Sequence, residues 1–428
     1  MMNAKMKAVI VVIVIAVAAI AAATIFTGGD DDHGKDIPDV AAGFGTVYGN
    51  ADGNCSIDDT DLAIIESIMS GDRQLKDFPF ADANADGKID SADIEIVKDI
   101  MNETETTVKV LDTQDKIVDV KYPVENFMVL SGSNLAPLMN ILDVSDKVVA
   151  AAYNRFDDIR DHGICEGIEQ GRIVKLTVNG TAADMDAISK LDTHTMFTEY
   201  GSHYDLDSDK NIKTMNDWGI DVLCMDCRDP GDDTRAMAVF GILLDRSEQA
   251  QSYIDFVDSV YKEIKNIEGD KFGTATALLS GKNVGLSGRS SGYTALLEEL
   301  AGGKNVADWE ESNKKFELHD PVLLSEKYRS DIALLGAISN YSGDGFSEKD
   351  IASYKEKYSD LDVWKNGEVY IYSTSVPIVC RVAYFAEALY PDLFEDGWAN
   401  EVHQRFVDTY FDTPYKVDGS KFMQRINL

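Results

Sequence analysis

An α/β fold of two lobes joined by one long helix is predicted for most of this 428-residue chain. A small all-α module precedes it, and an apolar transmembrane or signal helix opens the chain. Three observations carry that prediction. Short apolar strands alternate with helices from about residue 122 to 425, the pattern of parallel α/β sheets. The segment 247–268 keeps one continuous apolar face between two such blocks of similar size. Residues 50–61 and 82–93 repeat one twelve-residue pattern, each copy followed by a short one-sided helix.

In chain order, Lys5 and Lys7 precede Ala8–Phe26, nineteen residues without a charge. That length suits a bilayer core or a signal peptide. Ordinary signal cores run to about 7–15 residues, so an uncleaved anchor within 1–27 is expected, with Ala21–Ala23 leaving cleavage open. Lysines before the segment and acids after it put the remainder outside the cell. Residues 28–45 read as a polar linker.

The second repeat reads D-A-N-A-D-G-K-I-D-S-A-D. Asp82, Asn84, Asp86, Asp90 and Asp93 fall at positions 1, 3, 5, 9 and 12, with Gly87 at position 6 and Ile89 at position 8. Lys88 at position 7 offers its backbone carbonyl. This is the spacing of a calcium loop, whose oxygens surround the ion at about 2.3–2.6 Å. The first repeat, N-A-D-G-N-C-S-I-D-D-T-D, keeps Asn50, Asp52, Asn54, Asp58 and Asp61, with Ser56 at position 7. Two calcium ions are therefore expected. Cys55 stands where the turn glycine belongs, in a conformation that side chains disfavour. The first site is expected to be the weaker, and calcium to fill the second first. Leu62, Ile65, Ile68 and Met69 follow the first loop, and Ile94, Val97, Ile100 and Met101 the second, each set at helical spacing.

The formal charge of −35 excludes a nucleic-acid binder, whose footprint is basic. Five scattered cysteines, Cys55, Cys165, Cys224, Cys227 and Cys380, do not make a complete disulfide framework. Cys224 and Cys227 form a C-x-x-C that ends an apolar strand instead of opening a helix, so buried thiols or an incidental disulfide are expected ahead of redox chemistry. Among the histidines, His162, His194 and His203 fall in the first lobe, and nothing in their spacing brings them to one metal.

Beyond residue 107, Val108–Val120 reads as a hairpin turning at Thr113–Asp115. Pro123 opens a buried strand through Leu130, Ser131–Ser133 turns into a helix near 135–142, and Lys147–Ala152 is the next strand. Further strands are expected at Thr195–Thr198, Val222–Met225, Val284–Leu286, Ile332–Leu335 and Val369–Tyr372. The long helix carries Ala250, Tyr253, Ile254, Val257, Tyr261, Ile264 and Ile267 on one face, and Gly269 ends it. The lobes are thus read as 107–245 and 270–428, with the connecting helix at 246–269.

The duplicated loop-plus-helix, with Asp at position 12, resembles the dockerin module over residues 46–103. The resemblance implies two calcium ions and a cohesin-type protein partner docking on the helix faces. Positions 10 and 11, which help choose the partner in that family, are Asp59–Thr60 and Ser91–Ala92. The two pairs differ, which argues against equivalent faces. A plain structural staple is the alternative left open.

The large region resembles a second family, the extracytoplasmic substrate-binding proteins of ABC importers for iron–siderophores, haem and vitamin B12. The blocks that carry this are Tyr122–Ser131 (Y-P-V-E-N-F-M-V-L-S), Asp217–Leu223 (D-W-G-I-D-V-L), Gly241–Gln249 leading into the long helix, Leu296–Asn305 (L-L-E-E-L-A-G-G-K-N), Val363–Tyr370 (V-W-K-N-G-E-V-Y) and Tyr384–Phe394 (Y-F-A-E-A-L-Y-P-D-L-F). The resemblance implies a ligand held between the lobes, a small hinge limited by the helix, an ABC permease as partner and no chemistry. No nucleophile–base pair, phosphate-cradling loop or paired-carboxylate motif is legible. The ligand class implied is a metal chelate or a corrinoid.

Contacts to it are expected from strand-end loops at Ser131–Asn134, Tyr153–Arg155, Asp226–Arg228, Gly288–Tyr293 and Ser373–Arg381. Arg155, Arg228, Arg289 and Arg381 could pair with ligand carboxylates bidentately. Ser290, Tyr153 and Tyr293, with Tyr372, could hydrogen-bond or stack. The competing reading for each is a surface ion pair or a core tyrosine. For the whole chain the alternative is a surface scaffold or sensor recruited to a cohesin-type complex.

Overall fold

The computed structural model describes residues 46–131, 134–153, 156–199, 204–227, 231–266, 274–279, 285–286, 301–307, 316–317 and 329–427. The expected N-terminal anchor and linker lie outside them. Among the described residues no helix is long and apolar enough to cross a membrane.

Two helices build the front module, α1 (Asp59–Ser70) and α2 (Ser91–Met101). Position 9 of each twelve-residue loop is the helix N-cap and position 12 its third residue. Asp58 with Asp61, and Asp90 with Asp93, close reciprocal capping boxes, which satisfy N–H groups a helix start leaves open. Gly71 ends α1 in the left-handed region, at φ 88°. Ile64, Ile65, Phe78, Ala81, Ala83 and Val97 form the module's core.

A hairpin follows, β1 (Thr106–Leu111) with β2 (Ile117–Tyr122). The first lobe then runs β3 (Phe127–Ser131), α3 (Leu135–Ile141), β4 (Val148–Tyr153), α4 (His162–Glu169), β5 (Val174–Leu176), α5 (Ala182–Ile188), β6 (Thr195–Thr198), α6 (Asp209–Asp217), β7 (Asp221–Cys224) and α7 (Asp232–Leu243). Its five strands are all parallel, in the order β5-β4-β3-β6-β7. Phe127 and Val129 enter the core on one face of β3 while Met128 and Leu130 enter another core behind it. Burial on both faces is why the strand reads as an unbroken apolar run.

The long helix α8 spans Ser247–Lys265, about 29 Å at 1.5 Å per residue. After it come β8 (Thr274–Leu279), β9 (Gly285–Leu286), β10 (Gly303–Asn305), β11 (Phe316–Glu317), β12 (Ile332–Ala337), α9 (Glu348–Tyr358), α10 (Asp362–Asn366), β13 (Glu368–Ser373), α11 (Ile378–Leu389), α12 (Trp398–Tyr410) and β14 (Met423–Arg425). This second sheet departs from the all-parallel expectation. β8, β10, β12 and β13 are parallel, whereas β9, β11 and β14 join antiparallel. The chain's end doubles back along β13, so the edge is closed by the C-terminus instead of a further crossover. Pro123 also does not open a strand: it lies in the connection, and β3 begins at Phe127.

Helix α8 packs against α7 and α11. Its buried residues are Ala250, Tyr253, Ile254, Val257, Val260 and Ile264. Gly241 on α7 permits that approach, since a β-carbon there would lie 2.7 Å from Ala250 Cβ. One core cluster runs from Phe127 and Phe197 through Tyr253 and Val257 to Val379 and Phe406.

The front module is joined to the first lobe through the hairpin. The Tyr48 N–H donates to Lys109 O at 2.9 Å and the Leu111 N–H to Thr46 O at 2.9 Å. The Tyr122 hydroxyl donates to Ile100 O at 3.2 Å. At the hairpin's far end Thr113 Oγ1 donates to Cys224 O and accepts from the Asp226 N–H, each at 3.0 Å.

Candidate functional site

The segments that follow the parallel strands of the two sheets meet each other: the stretch after β4 reaches Ser375 after β13 and Ser342 after β12, and such strand ends are the usual place for a ligand in α/β sheets. In the first lobe, Asn134 gathers three strand-end segments. Its Nδ2 donates to Cys227 O at 3.0 Å and to Glu199 Oε1 at 3.4 Å, and its backbone N–H reaches Glu199 Oε2 at 3.4 Å. Glu199 is fully buried just beyond β6. Asp207 fastens the same end of the sheet, accepting from Thr198 Oγ1 at 2.9 Å and the Tyr204 N–H at 2.7 Å.

A buried charge cluster links the lobes. Arg160 and Asp161 form a two-pronged pair, Nε to Oδ1 at 3.2 Å and Nη2 to Oδ2 at 2.9 Å, with side chains 2% and 0% exposed. Arg160 Nη1 crosses to Ser375 O of the second lobe at 3.0 Å. Asp157 Oδ2 accepts the Ser342 N–H, also from the second lobe, at 3.3 Å. Burial pushes the Asp161 carboxyl above the usual carboxylate range, and the guanidinium beside it pulls the other way.

A second node sits where α7, α8 and α11 meet. The Tyr253 hydroxyl donates to Asp233 Oδ2 at 2.7 Å. Burial raises the Asp233 carboxyl, opposed by that hydrogen bond and by the nearby Arg381 charge.

The two twelve-residue loops differ in setting. In the second, Asp82 accepts the Asp86 and Gly87 N–H groups, and Asp93 the Asn84 and Asp90 N–H groups. Asp86, Gly87 and Lys88 face solvent. In the first, Asn50 and Asp61 are wholly buried. Asp61 takes the Ala51 and Asp52 N–H groups on one oxygen and the Asp58 N–H on the other. Burial and the neighbouring Asp52 and Asp58 charges push its carboxyl up to about 7. Asn50 Nδ2 donates to Asn54 O, but its buried Oδ1 has no partner.

An orphaned oxygen at position 1 and a crowded set of carboxylates fit a hard cation. Among the described residues no group of three His, Cys, Asp or Glu is assembled for a metal; the carboxylates of both loops accept loop N–H groups. The expected strain at Cys55 is absent. Gly53 takes the left-handed conformation, at φ 70°, and Cys55 does not.

Residues 48–102 match the dockerin type I domain family. Similar solved structures include the TroA-like periplasmic binding protein FepB of Veillonella parvula, at 16% identity and TM-score 0.55, covering 74% of this chain and 99% of that one. Helicobacter pylori CeuE in a Ni-His complex is similar at 16% identity and TM-score 0.52, covering 72% and 97%. So is a periplasmic solute-binding protein of Veillonella parvula, at 16% and 0.51, covering 74% and 97%. The large region has the periplasmic solute-binding fold. No curated protein matches the chain by sequence.

Within that fold the expected ligand contacts divide. Arg155, Arg228, Arg289, Ser290 and Tyr293 lie outside the described residues. Tyr153 ends β4 and pairs in register with Ser131 at the end of β3, so its backbone stands at the C-terminal edge of the first sheet. Arg381 is 4% exposed, with Nη2 donating to Thr374 O and Val376 O. It holds the β13–α11 loop from behind. Tyr372 faces the core, its ring 4.8 Å from Phe385, and is not a stacking surface. All five cysteines are free and buried; burial pushes the Cys224 thiol up to about 12, away from redox reactivity.

Sequence reading missed Glu199, Asp207 and the Asp157–Arg160–Asp161 cluster. A signal existed for two of these. Glu199 directly follows the apolar run Met196–Thr198, and F-D-D-I-R-D (156–161) puts four charges just past a strand end.

Proposed function

We propose that this chain is the extracytoplasmic substrate-binding component of an ABC importer, capturing an iron complex, siderophore or haem, or a corrinoid between its lobes. The observation that carries the reading is the facing pair of strand-end surfaces, held by α8 and by the Arg160–Ser375 contact across the groove. The fold is shared with periplasmic binding proteins, one of them solved as a Ni-His complex. The front module is a calcium-dependent docking device for a cohesin-type protein. Asn50, Asp52, Asn54, Asp58 and Asp61 hold one ion, with the Ser56 carbonyl. Asp82, Asn84, Asp86, Asp90 and Asp93 hold the other, with the Lys88 carbonyl. Calcium supplies charge neutralisation there and no chemistry.

The anchor at 1–27 and the linker at 28–45 tether the module and the two lobes to the membrane. Tyr153, Arg155, Arg228, Arg289, Ser290 and Tyr293 remain the groove residues proposed to touch the ligand. The test is a calorimetric and tryptophan-fluorescence panel of ferric chelates, haem and cobalamin on the purified chain. Saturable binding of one class supports the reading, and no binding by any of them overturns it.

A further inference from the structure

The two calcium loops sit in very different surroundings. Loop 82–93 is open: a β-carbon on Gly87 would meet nothing within 4 Å. Asn84 and Ala85 stand across a hollow of about 730 Å³ from Asp221 and Cys224 of β7. Loop 50–61 is seated against the large domain. Cys55 is 5% exposed and shares one apolar cluster with Phe240, Ile242, Ala250 and Ile254. A β-carbon on Gly241 would lie 3.5 Å from Cys55 O and 2.7 Å from Ala250 Cβ. The loop backbone, α7 and α8 therefore meet at that glycine. The Asp255 charge on α8 also reaches the Cys55 thiol.

We infer that calcium in the first loop pins the dockerin-like module to the α7–α8 helix pair and so sets the stability of the solute-binding domain. The second loop's ion serves the module alone. The physical basis is charge. Without a cation, Asp52, Asp58 and Asp61 crowd their carboxyl groups on one loop and act on one another, in a partly desolvated setting where repulsion is weakly screened. A divalent ion held by those carboxylates and by the unpartnered Asn50 Oδ1 cancels that repulsion. It also fixes the loop shape that presents the Cys55 backbone to Gly241. Coupling of this kind is reciprocal, so docking against α7 and α8 tightens the first site relative to the second. That reverses the filling order read from the missing glycine.

This inference rests on the calcium reading, and one experiment separates the two. Calcium is titrated into the full chain by calorimetry, for the wild type and for Asn50→Ala, Asp52→Asn and Asp82→Ala. Each is then followed by thermal melting and by alkylation of Cys55, read by peptide mapping, with calcium and with excess chelator. The expected result is two ions in the wild type and one in each variant. Chelator, Asn50→Ala and Asp52→Asn should each speed Cys55 alkylation roughly tenfold, mid-range for coupled sites, and lower the melting temperature of the large domain. Asp82→Ala should lose its ion without either change. Two ions bound, with loop-one variants that leave Cys55 protection and large-domain melting untouched, would overturn the coupling while leaving the calcium reading intact. No calcium bound at all overturns both. Wild type with chelator carries the test should a variant fail to fold.

Discussion

Arg160 is a residue whose worth lies in what it leaves behind when removed. It compensates Asp161 in a contact almost free of solvent and carries the lobe-to-lobe bond to Ser375. Arg160→Ala strands a buried carboxylate, a loss expected at about 3–5 kcal/mol. The double variant Arg160→Met with Asp161→Leu should recover much of it, because an apolar pair of similar volume replaces both charges; urea unfolding of the three proteins checks this. His403 gives a pH prediction. It is fully buried between the Tyr341 and Tyr384 hydroxyls, at 2.7 and 3.0 Å, and burial alone pushes its pKa down to about 3. The unfolded histidine titrates near 6.5, so between these values the unfolded chain holds a proton the folded chain does not. Stability is full above pH 6.5 and is lost as pH falls toward 3. Relative to His403→Phe, the wild type should lose ~2 kcal/mol between pH 7 and 5, seen as converging urea midpoints. Neither role was legible beforehand, since burial comes from contacts distant in sequence: His403 looks like any polar residue of an amphipathic helix. Arg381 erred the other way, a charge at the right loop that is turned inward.

The longest helix was the most legible element. The nineteen residues of α8 repeat the helical period five times over; of the face read from sequence, Ala250, Tyr253, Ile254, Val257 and Ile264 are buried, with Val260 added, Tyr261 is half-buried and Ile267 lies outside the described residues. β3, β6, β12 and β13 announced themselves as apolar runs because both sheet faces are covered. Strands of two and three residues such as β11 and β14 hold too few residues for any period to register, and β9, legible as a strand near 284–286, gave no sign of its antiparallel direction. In the first twelve-residue loop Cys55 at position 6 is not left-handed, so the strain expected there is absent, while position 4 is left-handed in both loops, at Gly53 and at Ala85. Helix pairing depends on one small residue, Gly241. Gly241→Ala forces a β-carbon to within 2.7 Å of Ala250, and overpacking of this kind is expected to cost about 1–3 kcal/mol. Thermal melting should show it. Adding Ala250→Gly should restore part of the loss, because it removes the atom in conflict.

At the scale of the whole molecule, α8 is gripped from both lobes, and that grip limits how the groove can respond to a ligand. Tyr253 on α8 reaches back to Asp233 of the first lobe and packs edge-on against Phe406 of the second, with ring centroids 6.2 Å apart. Glu263 accepts from Trp398 Nε1 at 2.9 Å and pairs with Arg405 at 3.3 Å. Tyr410 donates to Ser252 O at 2.8 Å. A wide opening would have to break these contacts together and expose buried aromatic area at about 25 cal/mol per Å². Small shifts in strand-end segments carry no such penalty. Ligand saturation should therefore change the radius of gyration by less than about 1 Å, as for pre-organised partners, while hydrogen exchange slows at Asn134, Glu199 and the 374–377 loop. Solution scattering and exchange on the same sample test this together. A contraction beyond about 2 Å would mean that α8 bends, and exchange would then rise along 250–264 instead of falling at the groove.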